Sequence, residues 1–229
     1  MIGRLRCATF YSTILSACLS VALPAPGALL DEESTQFDVY RQTEGDSPFA
    51  LSLRVEKEIP APAESDVLIL FDTSATQAGI YREMQFSSLQ TLLNNLSDND
   101  RVRLYAVDLQ AVEMTAGFVP PRGAEIRRAI KSLESRVPLG ATDLTALLDA
   151  ATNFEASSKH AHAAVYLGDG VSSAGAVDTD EVRAAIDKLV AAKVSLSSYA
   201  VGPRVDALCL AAVANQTGGN LHVHGDIVW

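Results

Sequence analysis

The sequence DVLILFDTSAT, residues 66–76, joins an apolar run to a polar loop. Residues 67–71 are all apolar, which is typical of a strand buried on both faces of a parallel sheet that is covered by helices. Such a strand delivers the residues after it to the carboxyl edge of the sheet, where open α/β folds bind ligands. Here those residues include Asp72, Ser74 and Thr76, one carboxylate and two hydroxyls at alternate positions. These oxygens suit Mg2+, Mn2+ or Ca2+ better than a metal that prefers thiolates.

The rest of the chain alternates between strand patterns and helix patterns. Strands are predicted at residues 49–55, 66–71, 101–107, 112–115, 163–167, 194–201 and 221–224. Helices are predicted at residues 80–96, 125–135, 144–151 and 205–215. A further helix is predicted to begin after Asp178, which would act as its N-cap with Glu181 as the reciprocal capping partner. The alternation predicts an α/β fold with a doubly wound, mostly parallel central sheet flanked by helices. Residues 29–50 are polar and predict an irregular linker, so residues 29–64 are assigned to a linker and an edge strand and residues 65–229 to the main domain.

Length and charge limit the classes of function. The chain has 229 residues, of which 48% are apolar, and a formal net charge of -10. The apolar content is enough for a core and too high for a disordered chain. A nucleic-acid-binding protein normally carries a basic patch, so the acidic balance predicts no such partner. The composition fits a solvated exported protein or a protein that binds cations.

The first 28 residues have the pattern of a secretory signal. Two arginines precede residues 8–23, which are mostly apolar or small, and further small residues follow. The apolar run is short for a membrane span, and serines and Pro24 interrupt it. We therefore expect an extracytoplasmic protein, whether periplasmic, on the cell surface or secreted, with no transmembrane span after signal removal. The sequence LSAC at residues 15–18 also resembles a bacterial lipobox, which would attach a lipid to Cys18, although apolar residues continue to Leu23.

Two later segments add polar side chains to the same edge of the predicted sheet. Thr142 lies in a loop that enters a helix, and Asp169 follows the strand at 163–167. Because the strands of a parallel sheet end at one edge, we expect both residues to meet Asp72, Ser74 and Thr76 there. Ser, Thr and Asp also cap helices and turns, but capping requires no convergence of three segments. The sequence therefore predicts a site with two carboxylates and three hydroxyls.

These segments resemble the metal-ion-dependent adhesion site (MIDAS) of the von Willebrand factor type A domain, and the chain looks most like the type A domains of exported bacterial proteins. The family site has an Asp-x-Ser-x-Ser motif, a distant Thr and a later Asp. The matching sequences here are DTSAT at 72–76, GATD at 140–143 and GDG at 168–170. The resemblance covers residues 65–224 and includes the order of the elements.

The resemblance implies a non-catalytic module that binds Mg2+, or else Mn2+ or Ca2+. In the family pattern, the hydroxyls of Ser74 and Thr76 would hold the ion. Asp72 and Asp169 would act mainly through water, and Thr142 would bind directly in one state. One open position would accept an Asp or Glu carboxylate from a protein or peptide partner, because Mg2+ keeps exchangeable water where the protein leaves a position open.

Two departures from the family pattern leave an alternative open. Thr76 stands where the family has serine, which keeps the oxygen but adds a methyl group and restricts χ1. The family usually closes with a helix beside the last strand, and residues 225–229 are too few for one, so we expect the final helix to be missing. Altered geometry around a metal can lower its affinity strongly. The alternative is a type A scaffold with a degenerate metal site that binds proteins without metal.

Enzyme functions have weaker support in the sequence. A haloacid-dehalogenase-like phosphatase also places Asp after an apolar strand, but it needs a second Asp as general acid at the position of Ser74. No Gly-x-Gly-x-x-Gly nucleotide motif follows the first strand. The pairs His160/His162 and His222/His224 suggest zinc, but one pair begins a strand and the other ends one. Parallel strands would place the two pairs at opposite edges of the sheet, which argues against a shared zinc site.

Overall fold

The computed structural model describes residues 35–41, 45, 47–53, 62–152, 159–175 and 179–224, in two compact units that divide between Pro60 and Ala61. The first unit contains a hairpin of β1 (Thr35–Val39) and β2 (Phe49–Leu53), which pair antiparallel. The strand predicted at 49–55 is therefore present. The irregular linker predicted for residues 29–50 is wrong at β1, because the short alternating run TQFDV finds its hydrogen-bond partners in β2.

The second unit is built on a six-stranded sheet with the order β5-β4-β3-β6-β7-β8. Its strands are β3 (Ser65–Asp72), β4 (Arg101–Val107), β5 (Ala111–Glu113), β6 (Ala161–Gly168), β7 (Ser195–Ala200) and β8 (Leu221–Val223). All neighbours pair in parallel except β5, which is antiparallel to β4 at one edge. This arrangement confirms the predicted mostly parallel sheet and the short edge strand near residue 112.

Five helices accompany the sheet in the described chain. They are α1 (Ile80–Asn95), α2 (Ala124–Ser135), α3 (Leu144–Thr152), α4 (Thr179–Ala191) and α5 (Ala207–Thr217). Each lies within two residues of a helix that the sequence predicts. Helices α1 and α2 pack on one face of the sheet and α3, α4 and α5 on the other, so the doubly wound arrangement is confirmed.

The central strand β3 owes its position to its unbroken apolar sequence. Leu68 and Leu70 join the apolar cluster under α3, α4 and α5, whereas Val67, Ile69 and Phe71 join the cluster under α1 and α2. All five side chains are at most 4% exposed. Burying one such side chain stabilises the fold by about 1.5–3 kcal/mol. A polar residue at any of these positions would face a dry core. Because both faces of β3 are packed, the carboxyl end of the strand is held in a fixed place.

Some sequence predictions fall outside the described residues. They concern the secretory signal at residues 1–28, the lipid on Cys18, the cap at Asp178 and the missing closing helix after His224. Within the part of the chain that the structure describes, no helix is both long and apolar enough to cross a membrane.

Candidate metal centre

The carboxyl edge of the sheet brings three loops together. Asp72 ends β3 beside Val107 of β4, and Phe71 lies level with Leu167 of β6. The first loop therefore leaves the sheet between its two neighbours. The loops are joined by backbone hydrogen bonds, from Ala75 N to Gly140 O (3.1 Å) and from Ser173 N to Thr142 O (3.0 Å). These bonds hold the predicted segments beside one another.

Asp72 lies at the centre of this edge and is fully buried. Its Oδ1 accepts a hydrogen bond from the backbone N–H of Ser74 (2.8 Å), and its Oδ2 accepts one from the hydroxyl of Thr142 (3.2 Å). Burial raises the pKa of Asp72 from 3.8 to about 6, and the nearby charge of Asp169 adds to the rise. Hydrogen bonds from Tyr166 and Ser74 act against it by favouring the charged carboxylate.

Asp169 is the second buried carboxylate, with 1% of its surface exposed. Its Oδ1 accepts a hydrogen bond from Val171 N (3.0 Å), but its Oδ2 has no partner among the described residues although it is buried. An unpaired buried carboxylate oxygen is unfavourable, and a second buried carboxylate nearby, that of Asp72, adds to the cost. A cation at this place would offset both effects. Gly202 leaves room for the Asp169 side chain, because a Cβ on Gly202 would lie 2.6 Å from the Cβ of Asp169.

Two hydroxyls complete the first loop. Ser74 is buried and Thr76 is exposed, and their side-chain oxygens lie 2.9 Å apart. The site therefore opens to solvent beside Thr76. The chain departs from the family pattern at this position, but the threonine still supplies a hydroxyl oxygen. Hydroxyl and carboxylate oxygens fit a hard cation such as Mg2+ or Mn2+. Among the described residues, no three or more His, Cys, Asp or Glu side chains form a group suited to a metal, so a ligand set here depends on these hydroxyls.

Tyr166 also contacts the candidate site. The sequence does not predict this contact, because the residue has the pattern of an ordinary core residue of β6. Its hydroxyl accepts a hydrogen bond from Gly170 N–H (3.2 Å) and donates one to Asp72 Oδ2 (2.6 Å). The backbone N–H can only donate, so the tyrosine proton must point to the carboxylate. Burial and the charge of Asp72 raise the pKa of Tyr166 well above its usual value, so the hydroxyl keeps that proton.

Gly168 is the sequence signal that could have revealed this contact. It lies two residues after Tyr166 and therefore on the same face of β6. A Cβ at Gly168 would overlap the Tyr166 hydroxyl and lie 2.6 Å from the Cβ of Asp72. The glycine leaves the space in which the tyrosine reaches across to the neighbouring strand.

A buried glutamine also supports the edge and was not predicted. Gln85 on α1 donates through Nε2 to the backbone oxygens of Leu167 (3.0 Å) and Asp72 (3.3 Å). It thus ties α1 to the carboxyl ends of β6 and β3. A glutamine inside a leucine-rich helical stripe gives no sign of this role until the neighbouring strand ends are known.

The histidines lie in two separate places, as the sequence predicts. His160 lies 2.8 Å from both Glu64 and Asp66 near the start of β3 and β6, whereas His222 and His224 contact Tyr199 near the ends of β7 and β8. The position at which a phosphatase of this type needs its general acid is occupied by Ser74, whose hydroxyl contacts that of Thr76.

Comparison with known proteins identifies the family. The family model for the von Willebrand factor type A domain matches residues 65–223, although no curated protein sequence matches significantly. The structure of a von Willebrand factor type A protein from Catenulispora acidiphila is 14% identical, with a TM-score of 0.61, and the match covers 84% of this chain and 46% of that one. The present chain thus spans less than half of that protein.

Two further structures share the fold at low identity. An aerotolerance-related membrane protein from Bacteroides fragilis is 17% identical with a TM-score of 0.55, over 71% of this chain and 92% of that one. A manganese-loaded TRAP protein from Plasmodium vivax is 18% identical with a TM-score of 0.50, over 66% of this chain and 63% of that one. Because the family model covers residues 65–223, well over half of the chain, the protein belongs to the von Willebrand factor type A domain family.

Proposed function

We propose that this protein is an exported module that binds a protein or peptide partner through a divalent ion. Domains of this family are typically non-catalytic and often mediate protein interactions. The observation that carries the proposal is the pair of buried carboxylates, Asp72 and Asp169, of which Asp169 Oδ2 has no hydrogen-bond partner in the described chain. A group of this kind is expected where a cation belongs.

The residues at the sheet edge fit the proposed ion. Ser74 and Thr76 would hold it through their hydroxyls, Asp72 and Asp169 would balance its charge, and Thr142 would bind it in one state. The similar TRAP protein is manganese-loaded, which supports a divalent ion of this size. When bound, Mg2+, Mn2+ or Ca2+ supplies a positive centre that accepts a carboxylate oxygen.

The partner would be an Asp or Glu side chain that approaches from the open side of the site. Thr76 is exposed there, while the carboxylates behind it are buried and held by the scaffold. Asp72 and Asp169 would act mainly through water, and the hydroxyls that would bind the ion directly carry no charge. The ion therefore keeps its attraction for one more anionic oxygen.

The proposed location is extracytoplasmic. It rests on the secretory pattern of residues 1–28, with lipid attachment at Cys18 as the competing use of the same leader. The similar Bacteroides fragilis protein is described as a membrane protein, which is compatible with a location at or outside the membrane. In this proposal residues 29–64 connect the leader to the type A domain at 65–229.

A second candidate is a type A scaffold that binds proteins without metal. One observation favours it: both oxygens of Asp72 accept hydrogen bonds within the protein, and the Ser74 and Thr76 hydroxyls bond to each other. This side of the site is satisfied without an ion. Of the buried oxygens on the five candidate ligand residues, Asp169 Oδ2 is the one without a hydrogen-bond partner in the described part of the chain.

Thermal unfolding in EDTA, Mg2+, Mn2+ and Ca2+ separates the two candidates. An ion that binds only the folded protein at 100 times its Kd adds about 2.7 kcal/mol. We expect a rise in Tm of several degrees for the wild type and for the exposed control Asp149→Ala, and none for Asp72→Ala. No rise in the wild type would favour the metal-free scaffold. A rise that both Asp72→Ala and Thr142→Ala retain would show that the ion binds elsewhere.

A further inference from the structure

Three exposed apolar side chains lie beside the candidate metal centre. Leu109 follows β4 and is 54% exposed, and Val137 and Leu139, in the loop between α2 and α3, are each 66% exposed. We call these three residues the apolar rim. A single exposed leucine or valine is common on a protein surface, but a group of them indicates a surface on which another molecule binds.

Backbone contacts place the apolar rim next to the predicted ligand loop. The N–H of Leu139 donates to the carbonyl oxygen of Thr73 (3.2 Å), within the DTSAT motif. The carbonyl of the next residue, Gly140, accepts a hydrogen bond from the N–H of Ala75 in the same motif (3.1 Å). Leu109 lies beside this loop, because a Cβ on Gly140 would be 3.9 Å from the Cγ and Cδ1 atoms of Leu109. The apolar rim therefore borders the side of the site that is open to solvent.

The loop that carries Val137 and Leu139 is held at its base. The Nε of Arg136 donates to the hydroxyl of Thr73 (3.3 Å), and its NH2 group forms an ion pair with Asp108 (2.6 Å). Arg82 of α1 donates to the backbone oxygen of Arg136 (2.6 Å). The apolar side chains thus project from a backbone that is fixed before a partner arrives, and such a surface loses little entropy on binding.

The charged groups next to the apolar rim are already used within the protein. Arg136 and Asp108 neutralise each other, and the carboxylate of Asp143 accepts hydrogen bonds from the N–H groups of Thr145 and Ala146 (2.9 and 3.3 Å). A partner that reaches the ion therefore gains more from apolar side chains at this place than from charged ones, because apolar contact removes both surfaces from water.

We infer that the partner carries apolar side chains within two residues of the Asp or Glu that binds the ion, and that they pack on the apolar rim. The inference rests on the proposed function and specifies its partner. The ion cannot distinguish one acidic residue from another, since all present the same carboxylate, whereas the apolar rim selects those with apolar neighbours. Two residues of an extended peptide span about 7 Å, so such neighbours stay close to the site.

Selection of displayed peptides on the immobilised full chain tests the inference. The library has Glu or Gln at one fixed central position and random residues on both sides of it. In Mn2+ we expect enrichment of Glu over Gln, with Leu, Ile, Val, Phe or Met over-represented within two residues of the Glu. In EDTA both preferences should disappear.

The double variant Val137→Ser/Leu139→Ser removes two side chains of the apolar rim. Because both are exposed, its Tm should equal that of the wild type. It should keep the preference for Glu and lose the preference for apolar neighbours. The matched control Val190→Ser should keep both, because this 49% exposed valine lies near the end of α4, close to where β7 begins at the opposite edge of the sheet.

The affinity of one selected peptide gives the size of the effect. Replacement of its apolar neighbours by serine should weaken binding to the wild type about tenfold, the ratio that burial of roughly two methylene groups gives. The same replacement should leave the Kd for the double variant unchanged, because the surface that the apolar side chains would contact is gone.

Each contrary result has a distinct meaning. Enrichment of Glu without apolar neighbours, or an apolar preference that the double variant keeps, would overturn the inference and leave the proposed function standing. Absence of any Mn2+-dependent preference for Glu would overturn the proposed function and the inference with it. Apolar peptides that are enriched equally in EDTA and with Gln at the centre would overturn the inference in favour of the metal-free scaffold.

Discussion

Replacement of Tyr166 by phenylalanine tests the tie between the two loops that carry the carboxylates. The change removes one oxygen and leaves the ring in the core, so it creates neither a large cavity nor a clash. It breaks the 2.6 Å bond to Asp72 Oδ2 and leaves Gly170 N–H without the acceptor that it now has at 3.2 Å. Both groups are fully or nearly fully buried, so water does not readily replace the lost oxygen.

The expected loss of stability follows from those two bonds. A hydrogen bond to a charged group contributes about 1.5–3 kcal/mol, and a buried donor left unsatisfied costs about 1–3 kcal/mol. The two effects overlap, and we expect a total loss of about 2–4 kcal/mol in EDTA. For a domain of this size, 1 kcal/mol corresponds to about 2–4 °C in Tm. The variant should therefore melt roughly 5–15 °C below the wild type.

The same substitution should weaken ion binding. The Tyr166 hydroxyl orients Asp72 and favours its charged form, so its loss raises the pKa of Asp72 further above about 6. Removing such a supporting contact typically lowers metal affinity about 10–100-fold. Titration calorimetry with Mn2+ at pH 7.5 measures this directly, beside Tyr105→Phe on the neighbouring strand β4 as a control for loss of a tyrosine hydroxyl.

The result that refutes this reasoning is specific. If Tyr166→Phe lowers Tm while its Mn2+ affinity equals that of the wild type, Tyr166 is a structural residue and does not position Asp72 for an ion. If Tyr105→Phe weakens Mn2+ as much as Tyr166→Phe does, the effect comes from general destabilisation. If Tyr166→Phe changes neither quantity, the hydrogen bonds to Asp72 and Gly170 contribute far less than their burial implies.

Three further predictions concern the same edge of the sheet. In EDTA, the contribution of Asp72 to stability should fall by about 3 kcal/mol as pH rises from 3 to 7, because the folded-state pKa of Asp72, about 6, lies above the unfolded value of 3.8 and the folded protein binds the proton more tightly; urea unfolding of the wild type and Asp72→Asn at several pH values measures this as the difference between the two proteins, and a difference that stays constant over that range would contradict it. Asp72→Asn should remove that pH dependence, be more stable than the wild type at pH 8 in EDTA and lose the response of Tm to Mg2+; a variant that keeps the Mg2+ response would contradict the site. Gly168→Ala should lower Tm by more than 5 °C, about 2 kcal/mol, because its Cβ overlaps the Tyr166 hydroxyl, whereas Gly175→Ala, with open space around it, should not; equal Tm values would refute the close approach.

The fold was predictable where one sequence pattern has one structural solution. The run at 67–71 is apolar on both faces, so it had to lie inside a covered parallel sheet, and its residues do alternate between two cores. Asp72, which follows this run directly, was therefore predicted to lie at the carboxyl edge of the sheet. Its proximity to Thr142, 70 residues later, follows from the shared edge of parallel strands and is borne out by a distance of 3.2 Å.

Other features depend on partners that the sequence does not reveal. Strand β1 has a short, mostly polar sequence and becomes a strand only through pairing with β2. Tyr166 has the character of a core residue, and its contact with Asp72 depends on the missing side chain of Gly168, where a Cβ would overlap the Tyr166 hydroxyl. Gln85 likewise finds its acceptors at two strand ends that are distant in the chain. Whether Asp72 and its neighbours hold an ion stays a prediction.

The two carboxylates differ in a way that bears on how an ion would bind. Asp72 is held by Ser74, Thr142 and Tyr166, so its position is fixed before any ion arrives, whereas Asp169 keeps one buried oxygen unpaired. Fixing Asp72 in advance lowers the entropy that binding must overcome. The unpaired oxygen of Asp169 makes the metal-free state less stable than it would otherwise be. An ion therefore gains affinity from both, and Asp169→Asn should stabilise the metal-free protein while it weakens the ion, since the amide relieves the buried charge that the ion would neutralise.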